Sequence, residues 1–273
     1  MESLRGFNEA MAYIEAHLME EIDMEAVARK AGCTAYTFST MFAYLAGFTL
    51  SEYVRRRRLT RAATMLRAPG AKVLDVALEC GYQSPTAFSR AFAAQHGVTP
   101  SEAMREGAKL TSFPAVSFQL TIKGAEKMEY SIVEKAAMRV IGRRWRVSTV
   151  GGENFKTIPE IWDNEMKDGA WDKYDVFSGA VVGACAGFGE TEFDYWIGKI
   201  SNDAVPKGME TLEIAAAQWA VFPCTMEKIQ SVTQRIFSQW LPGSGYELMP
   251  LPDLELYLEE GCEIWIPVRP KSA

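Results

Sequence analysis

Eight polar residues in the first hundred positions have the types and spacing to read a DNA duplex. Tyr36, Ser39 and Thr40 follow one glycine-marked turn, and Gln83, Ser84, Thr86, Ser89 and Arg90 follow another. Hydroxyls, an aromatic ring and an arginine suit base edges in a major groove. Arg90 is the strongest of them, because arginine to guanine is the commonest specific contact. Gln83, Ser84 and the backbone amides at a helix start suit phosphate oxygens.

These positions belong to a segment written twice, fifty residues apart. Phe38, Ser39, Phe42, Gly47, Thr49, Ser51 and Glu52 recur as Phe88, Ser89, Phe92, Gly97, Thr99, Ser101 and Glu102. In each copy a short helix, a glycine turn and a second helix are expected, with Ala28, Phe38 and Phe42, or Ala77, Phe88 and Phe92, facing inward. The same arrangement could be a plain helical bundle with a polar face, but two copies joined by a long helix favour the reader of DNA. Helices are expected over 4–20 with a stripe of Leu4, Phe7, Met11, Ile14 and Leu18, then 24–31, 34–46, 50–67, 73–80 and 84–96. Asp23 and Ser84 are expected N-caps, and Thr49–Glu52 and Thr99–Glu102 expected capping boxes. The run Arg55–Arg58 points all round its helix, so most of it is expected to be solvated or ion-paired.

From Glu129 the texture changes. Strands are expected over 130–140, around Val147, and over 176–186, 193–200, 212–222, 254–258 and 264–268, with helices over 158–167 and 229–241. Val116–Ile122 reads as a further extended segment. Val133–Ala137 parallels Leu212–Ala216, and Asp194–Ile197 parallels Glu263–Ile266. The fold class is therefore multidomain. An all-α double helix-turn-helix domain over 1–107 and a linker over 108–128 come first. An α+β domain over 129–273 follows, with two strand-helix-strand-strand repeats on a curved antiparallel sheet. A groove at the repeats' pseudo-two-fold axis is the expected ligand site.

Composition narrows the function. Residues 1–107 carry equal numbers of acidic and basic side chains, so the formal charge of −6 lies wholly in the rest. All seven tryptophans lie there too. Five scattered cysteines and two histidines offer no disulfide framework, no zinc-ligand spacing and no cofactor fingerprint, and they suit a reducing cytoplasm. No apolar run is long enough for a membrane span.

The stretch GYQSPTAFSRAFAAQHGVTPSEAMR resembles the DNA-binding domain of AraC/XylS-type transcription regulators. That resemblance implies two recognition helices entering successive major grooves, with double-stranded promoter DNA and RNA polymerase as partners. It places Tyr36, Ser39, Thr40, Thr86, Ser89 and Arg90 at reading positions. Thr40 stands where many members have arginine, so the second motif is expected to dominate specificity. The second half resembles the GyrI-like effector-binding domain of Rob-type regulators through IVEKAAMRVIGRR, FDYWIGK, LEIAAAQWAVFPC and QWLPGSGYEL. This implies a multidrug-type pocket for a hydrophobic or cationic effector. Glu255 or Glu263 would supply the carboxylate, and Tyr195, Trp196, Trp219, Tyr257 and Trp265 the walls.

A ligand-responsive regulator, not an enzyme, is the expected function. Two alternatives share the pocket. It could be a glutamate-dependent hydrolase of small electrophiles, or a protein-binding module. No Ser-His-Asp or Cys-His set supports acyl transfer.

Overall fold

The computed structural model describes residues 2–118, 127–167, 174, 178–189 and 191–271. The chain divides into two compact units. One comprises 1–35 and 50–120, the other 36–49 and 121–273.

The first unit is helical. It holds α1 (Glu2–Ala16), α2 (Met24–Ala31), α4 (Leu50–Met65), α5 (Val73–Glu79), α6 (Pro85–His96) and α7 (Pro100–Ala103), while α3 (Ala35–Ala46) belongs to the second unit from Tyr36 onward. The expected stripe is buried at Phe7, Met11 and Ile14 of α1 and at Leu18 just beyond it. The helix ends at Ala16, four residues short of the expected bound, and a turn follows. Asp23 caps α2 through bonds from the amides of Glu25 and Ala26. Thr99 and Glu102 form the expected capping box of α7. One core joins Leu59, Ala62 and Leu66 of α4, Val76 and Ala77 of α5, Phe88 and Phe92 of α6, and Ala103. His96 is locked beneath it, with Nε2 at 3.1 Å from the Leu59 carbonyl and Nδ1 accepting from the Thr111 amide.

All four consecutive arginines are engaged. Arg55 and Arg56 bind the buried Glu52, Arg57 binds Glu15, and Arg58 donates to the carbonyls of Leu18 and Glu20. Residues 111–118 run along the same helices without forming a strand. The amides of Phe113, Val116 and Phe118 bond to Thr60, Tyr53 and Asn8. The remainder of the expected extended segment, 119–122, lies outside the described residues.

In the second unit the described strands form one nine-stranded antiparallel sheet. The strands are β1 (Ser131–Lys135), β2 (Met138–Ser148), β3 (Val181–Ala186), β4 (Glu192–Ile200), β5 (Glu210–Ile214), β6 (Ala217–Cys224), β7 (Tyr246–Leu248), β8 (Asp253–Tyr257) and β9 (Cys262–Pro270). Their order is β1-β6-β9-β8-β3-β4-β2-β5, with β7 on β9. Exchanging β1 with β5, β6 with β2, β9 with β4 and β8 with β3 reproduces the order reversed. The sequence repeat is therefore a structural one, with its pseudo-two-fold between β8 and β3.

Two expected strands are each split in two. The chain breaks at Ala136–Ala137 and at Ala215–Ala216, the same place in each repeat, so that β1 leaves its own repeat and pairs with β6 of the other. The expected strand over 176–186 begins at Val181, and part of its start, 176–177, lies outside the described residues.

The two faces of the sheet differ. On one, α8 (Asn154–Met166) packs Ile158, Ile161 and Trp162 against Ile141, Phe193, Tyr195 and Ile197. On the other, Trp196, Trp219 and Trp265 join Val140, Val182, Leu254 and Leu256, together with Val133 of β1 and Ile214 of β5. Strands from opposite ends of the sheet meet in this cluster, which requires the sheet to curl around it. Helix α9 (Ile229–Arg235) runs on through a π-helical turn, Ile236–Trp240, into the short α10 (Leu241–Gly243).

Candidate DNA-reading and effector-binding sites

The second motif lies open on the first unit. Ser84 caps α6 by accepting from the Ala87 amide, with Pro85 at the first helical position. Phe88 and Phe92 are fully buried, and this turns Gln83, Ser84, Thr86 and Arg90 to solvent, with Ser89 half-buried. A base-reading face needs that separation of core from polar positions.

The first motif's second helix differs. No residue of α3 is exposed, and Tyr36, Ser39 and Thr40 are all half-buried. Tyr36 shares a hydrogen bond with Thr40, and burial followed by the negative charge of Asp253 pushes its phenol up to about 12.

Asp253 and Glu255 stand on one face of β8, as alternation along a strand requires. Glu255 lies opposite Gly183 of β3, at the pseudo-two-fold. Its Oε2 accepts from Tyr257 Oη at 2.9 Å and from Tyr195 Oη at 3.4 Å. Trp162 of α8 donates its indole N–H to Tyr195 Oη at 2.7 Å and tilts over Tyr257 at 4.7 Å between ring centroids. Both carboxylates sit deep among protein atoms yet keep some accessible surface, and the space they face is the candidate effector cleft. Burial pushes Glu255 up to about 7, against the Tyr257 hydrogen bond, and pushes Asp253 up to about 6. Among the described residues, the groups acting on Glu255 are two phenols and another carboxylate, none of them a cation. Gly183 keeps the floor clear, since a Cβ there would lie 2.6 Å from Tyr195 Oη and 3.3 Å from Glu255 Oε2.

The expected effector residues therefore separate. Tyr195, Glu255 and Tyr257 come together around the cleft. Trp196, Trp219, Glu263 and Trp265 occupy the opposite face, where Trp265 donates to Glu263 at 2.8 Å and the three indoles are core. Trp162 and Asp253 were absent from the expected set. Asp253 was within reach, two residues before Glu255 on an alternating strand. Trp162 gave no such signal, because an aromatic on an amphipathic helix reads as core. Among the described residues no group of His, Cys, Asp and Glu could hold a metal ion, and no helix is long and apolar enough to cross a membrane.

Residues 27–106 match the family described as a helix-turn-helix domain, and residues 131–268, half of the chain, match that of the integron-associated effector binding protein. The regulatory protein SoxS of Escherichia coli K12 is 35% identical over 102 residues, which span 37% of this chain and 95% of SoxS. The chain is an AraC-type transcription regulator with a GyrI-like effector-binding domain. The transcriptional activator AarP of Providencia stuartii is 32% identical to this AraC-type regulator over 94 residues, 34% of the chain and 70% of AarP. A solved structure of SAV2435 bound to tetraphenylphosphonium shares 17% identity at a TM-score of 0.44, covering 52% of this chain and 94% of that one.

Proposed function

We propose that this regulator senses a lipophilic cation, held by Glu255 between the rings of Trp162, Tyr195 and Tyr257. One observation carries the reading. Among the described residues, the carboxylate of Glu255, deep in the protein, is bonded by neutral phenols and has no cationic partner, although burial of its charge demands one. Aromatic faces around it attract a delocalised cation and exclude water. The three tryptophans of the opposite face take no part and serve as core.

DNA is read chiefly by the second motif, with Arg90 and Thr86 on base edges and Gln83 and Ser84 on phosphates. The protein acts in the cytoplasm, without catalysis, and passes its signal to RNA polymerase. The test is calorimetric titration with tetraphenylphosphonium, a large cation without hydrogen-bond donors. Wild type should bind it, and Glu255→Gln should weaken binding at least about tenfold, since removing a charge partner in a buried site costs more than 1.4 kcal/mol. Equal binding by both would sink the assignment of Glu255. Glu255-dependent turnover of an electrophile would instead favour the hydrolase reading, which its near-neutral titration would suit.

A further inference from the structure

The cleft already contains an aromatic ring from the N-terminal part of the sequence. Tyr44 of α3 donates its hydroxyl to Asp253 Oδ2 at 2.6 Å. Its ring lies flat on Phe237, with centroids 4.1 Å apart and planes 11° from parallel. Phe237 is fully buried and is supplied by the π-helical turn, an irregularity frequent at functional sites. Past the end of α3, a Cβ on Gly47 would lie 3.5 Å from the ring of Phe155, just inside α8. Nearer its start, Tyr36 lies within the field of Asp253. Tyr36, Thr40 and Tyr44 are spaced four apart, so they form one stripe on the helix.

A flat ring stacked on an aromatic, with a donor on a buried carboxylate, makes the contacts a cationic aromatic ligand would make. Tyr44 is the protein's own version of that ligand. The stripe it belongs to includes Tyr36 and Thr40, which the sequence assigns to base reading. One helical face cannot meet a major groove and the acidic cleft at once.

We infer that Tyr44 is a built-in occupant of the effector cleft, and that an effector extending to Asp253 displaces it and frees α3 to read DNA. Asp253 is then a second acidic subsite, two residues along β8 from Glu255, and favours ligands whose positive charge or donors span both carboxylates. This rests on the proposed effector reading. It adds to it the route from ligand to DNA and the sign of that route, in which the effector promotes DNA reading by the first motif.

The experiment uses the full chain, with amide hydrogen exchange over residues 36–49 and calorimetric affinity for tetraphenylphosphonium. Tyr44→Phe keeps the stack and loses the hydrogen bond, and Tyr44→Ala loses both. Both variants should speed exchange of α3 in the ligand-free protein, and tetraphenylphosphonium should do the same in wild type. Tyr44→Ala should bind the cation about tenfold tighter, because the ligand no longer has to open the cleft. Glu255→Gln should bind the cation at least about tenfold more weakly and leave ligand-free exchange over α3 unchanged. Binding with α3 exchange unaltered, and no tighter in Tyr44→Ala, overturns the inference and spares the effector reading. If no variant binds the cation, the effector reading falls. Unchanged exchange in Tyr44→Phe would then remove the α3 contact as well, and faster exchange would leave it as a latch for another occupant.

Discussion

Glu255 is where pH should act most directly on this protein. Its carboxyl takes up a proton near 7 in the folded state and near the ordinary 4.5 when unfolded. Between those values the native state binds more protons, so stability is lost as pH rises through that window. Asp253, shifted up to about 6, contributes in the same direction, while Tyr44, Tyr195, Tyr257 and Cys185 around them are pushed upward and stay neutral. Urea unfolding should therefore find Glu255→Gln more stable than wild type at pH 8 by up to about 3 kcal/mol, and the advantage should vanish near pH 4. A permanent cation should show the opposite slope, binding more tightly as Glu255 ionises between about pH 5.5 and 8. Affinity flat across that range would mean that Glu255 is not its partner. Gly183→Ala tests the same floor by shape, because its methyl would displace the Tyr195 hydroxyl from Glu255, and the cation's affinity should fall with little loss of fold. That Glu255 and Tyr257 share a face was legible in the sequence, because a strand sends alternate residues to one side. Which of Glu255 and Glu263 shares a face with α8 was not, since both lie on well-formed strands and only the pairing shows which face α8 covers. The Tyr44–Asp253 bond spans 209 positions, a separation over which local pattern carries no information.

At the level of helices and strands, the two DNA motifs are unequal in a way their sequences only half disclose. Arg90 against Thr40 already points to the second motif, and the structure adds that α6 is open while α3 is covered. Arg90→Ala should cost about 1–3 kcal/mol and relax specificity at one base position, whereas Thr40→Ala should cost far less in the ligand-free protein. Anisotropy titrations on a duplex selected by the protein itself would show it, and equal losses would contradict the asymmetry. The helices of the first unit were legible because caps, glycines and the apolar stripe all agree on them. The sheet was legible only in part. An alternating apolar run does not announce a break, so β1 and β2 read as one strand through Ala136–Ala137, and β5 and β6 through Ala215–Ala216. Exchange of β1 and β5 between repeats is a long-range choice that no window contains. The close crossing of β2 and β4 has a local mark after the fact. Gly142 and Gly198 face each other, and a Cβ on Gly198 would collide with the Ile141 carbonyl. Gly198→Ala should therefore shift backbone and destabilise the fold by about 1–3 kcal/mol, the range for overpacking, as measured by thermal or urea unfolding.

For the whole molecule, the duplications answer different needs. The helical one supplies two helix-turn-helix motifs, and the sheet one places a carboxylate at a pseudo-two-fold where two strands from different repeats meet. Charge follows the same division. The DNA-reading sequence has no net charge and its four consecutive arginines are engaged internally, so few phosphates can be neutralised and the salt dependence of DNA binding should be shallow. Coupling between effector and DNA follows from the contact of Tyr44 with Asp253. If the ligand-free state keeps α3 in the cleft, effector and DNA both favour the state with α3 released. Each must then raise the other's affinity by the same factor, because coupling free energy is reciprocal. A coupling of about 1–3 kcal/mol, roughly 5–150-fold, is the usual range. Tetraphenylphosphonium titrated into the protein alone and into its DNA complex should bind the complex more tightly. The ratio should equal the gain in DNA affinity at saturating cation, and in Tyr44→Ala, where the cleft is already empty, it should fall toward one. A ratio that survives Tyr44→Ala would show that the effector reaches DNA by a route other than α3.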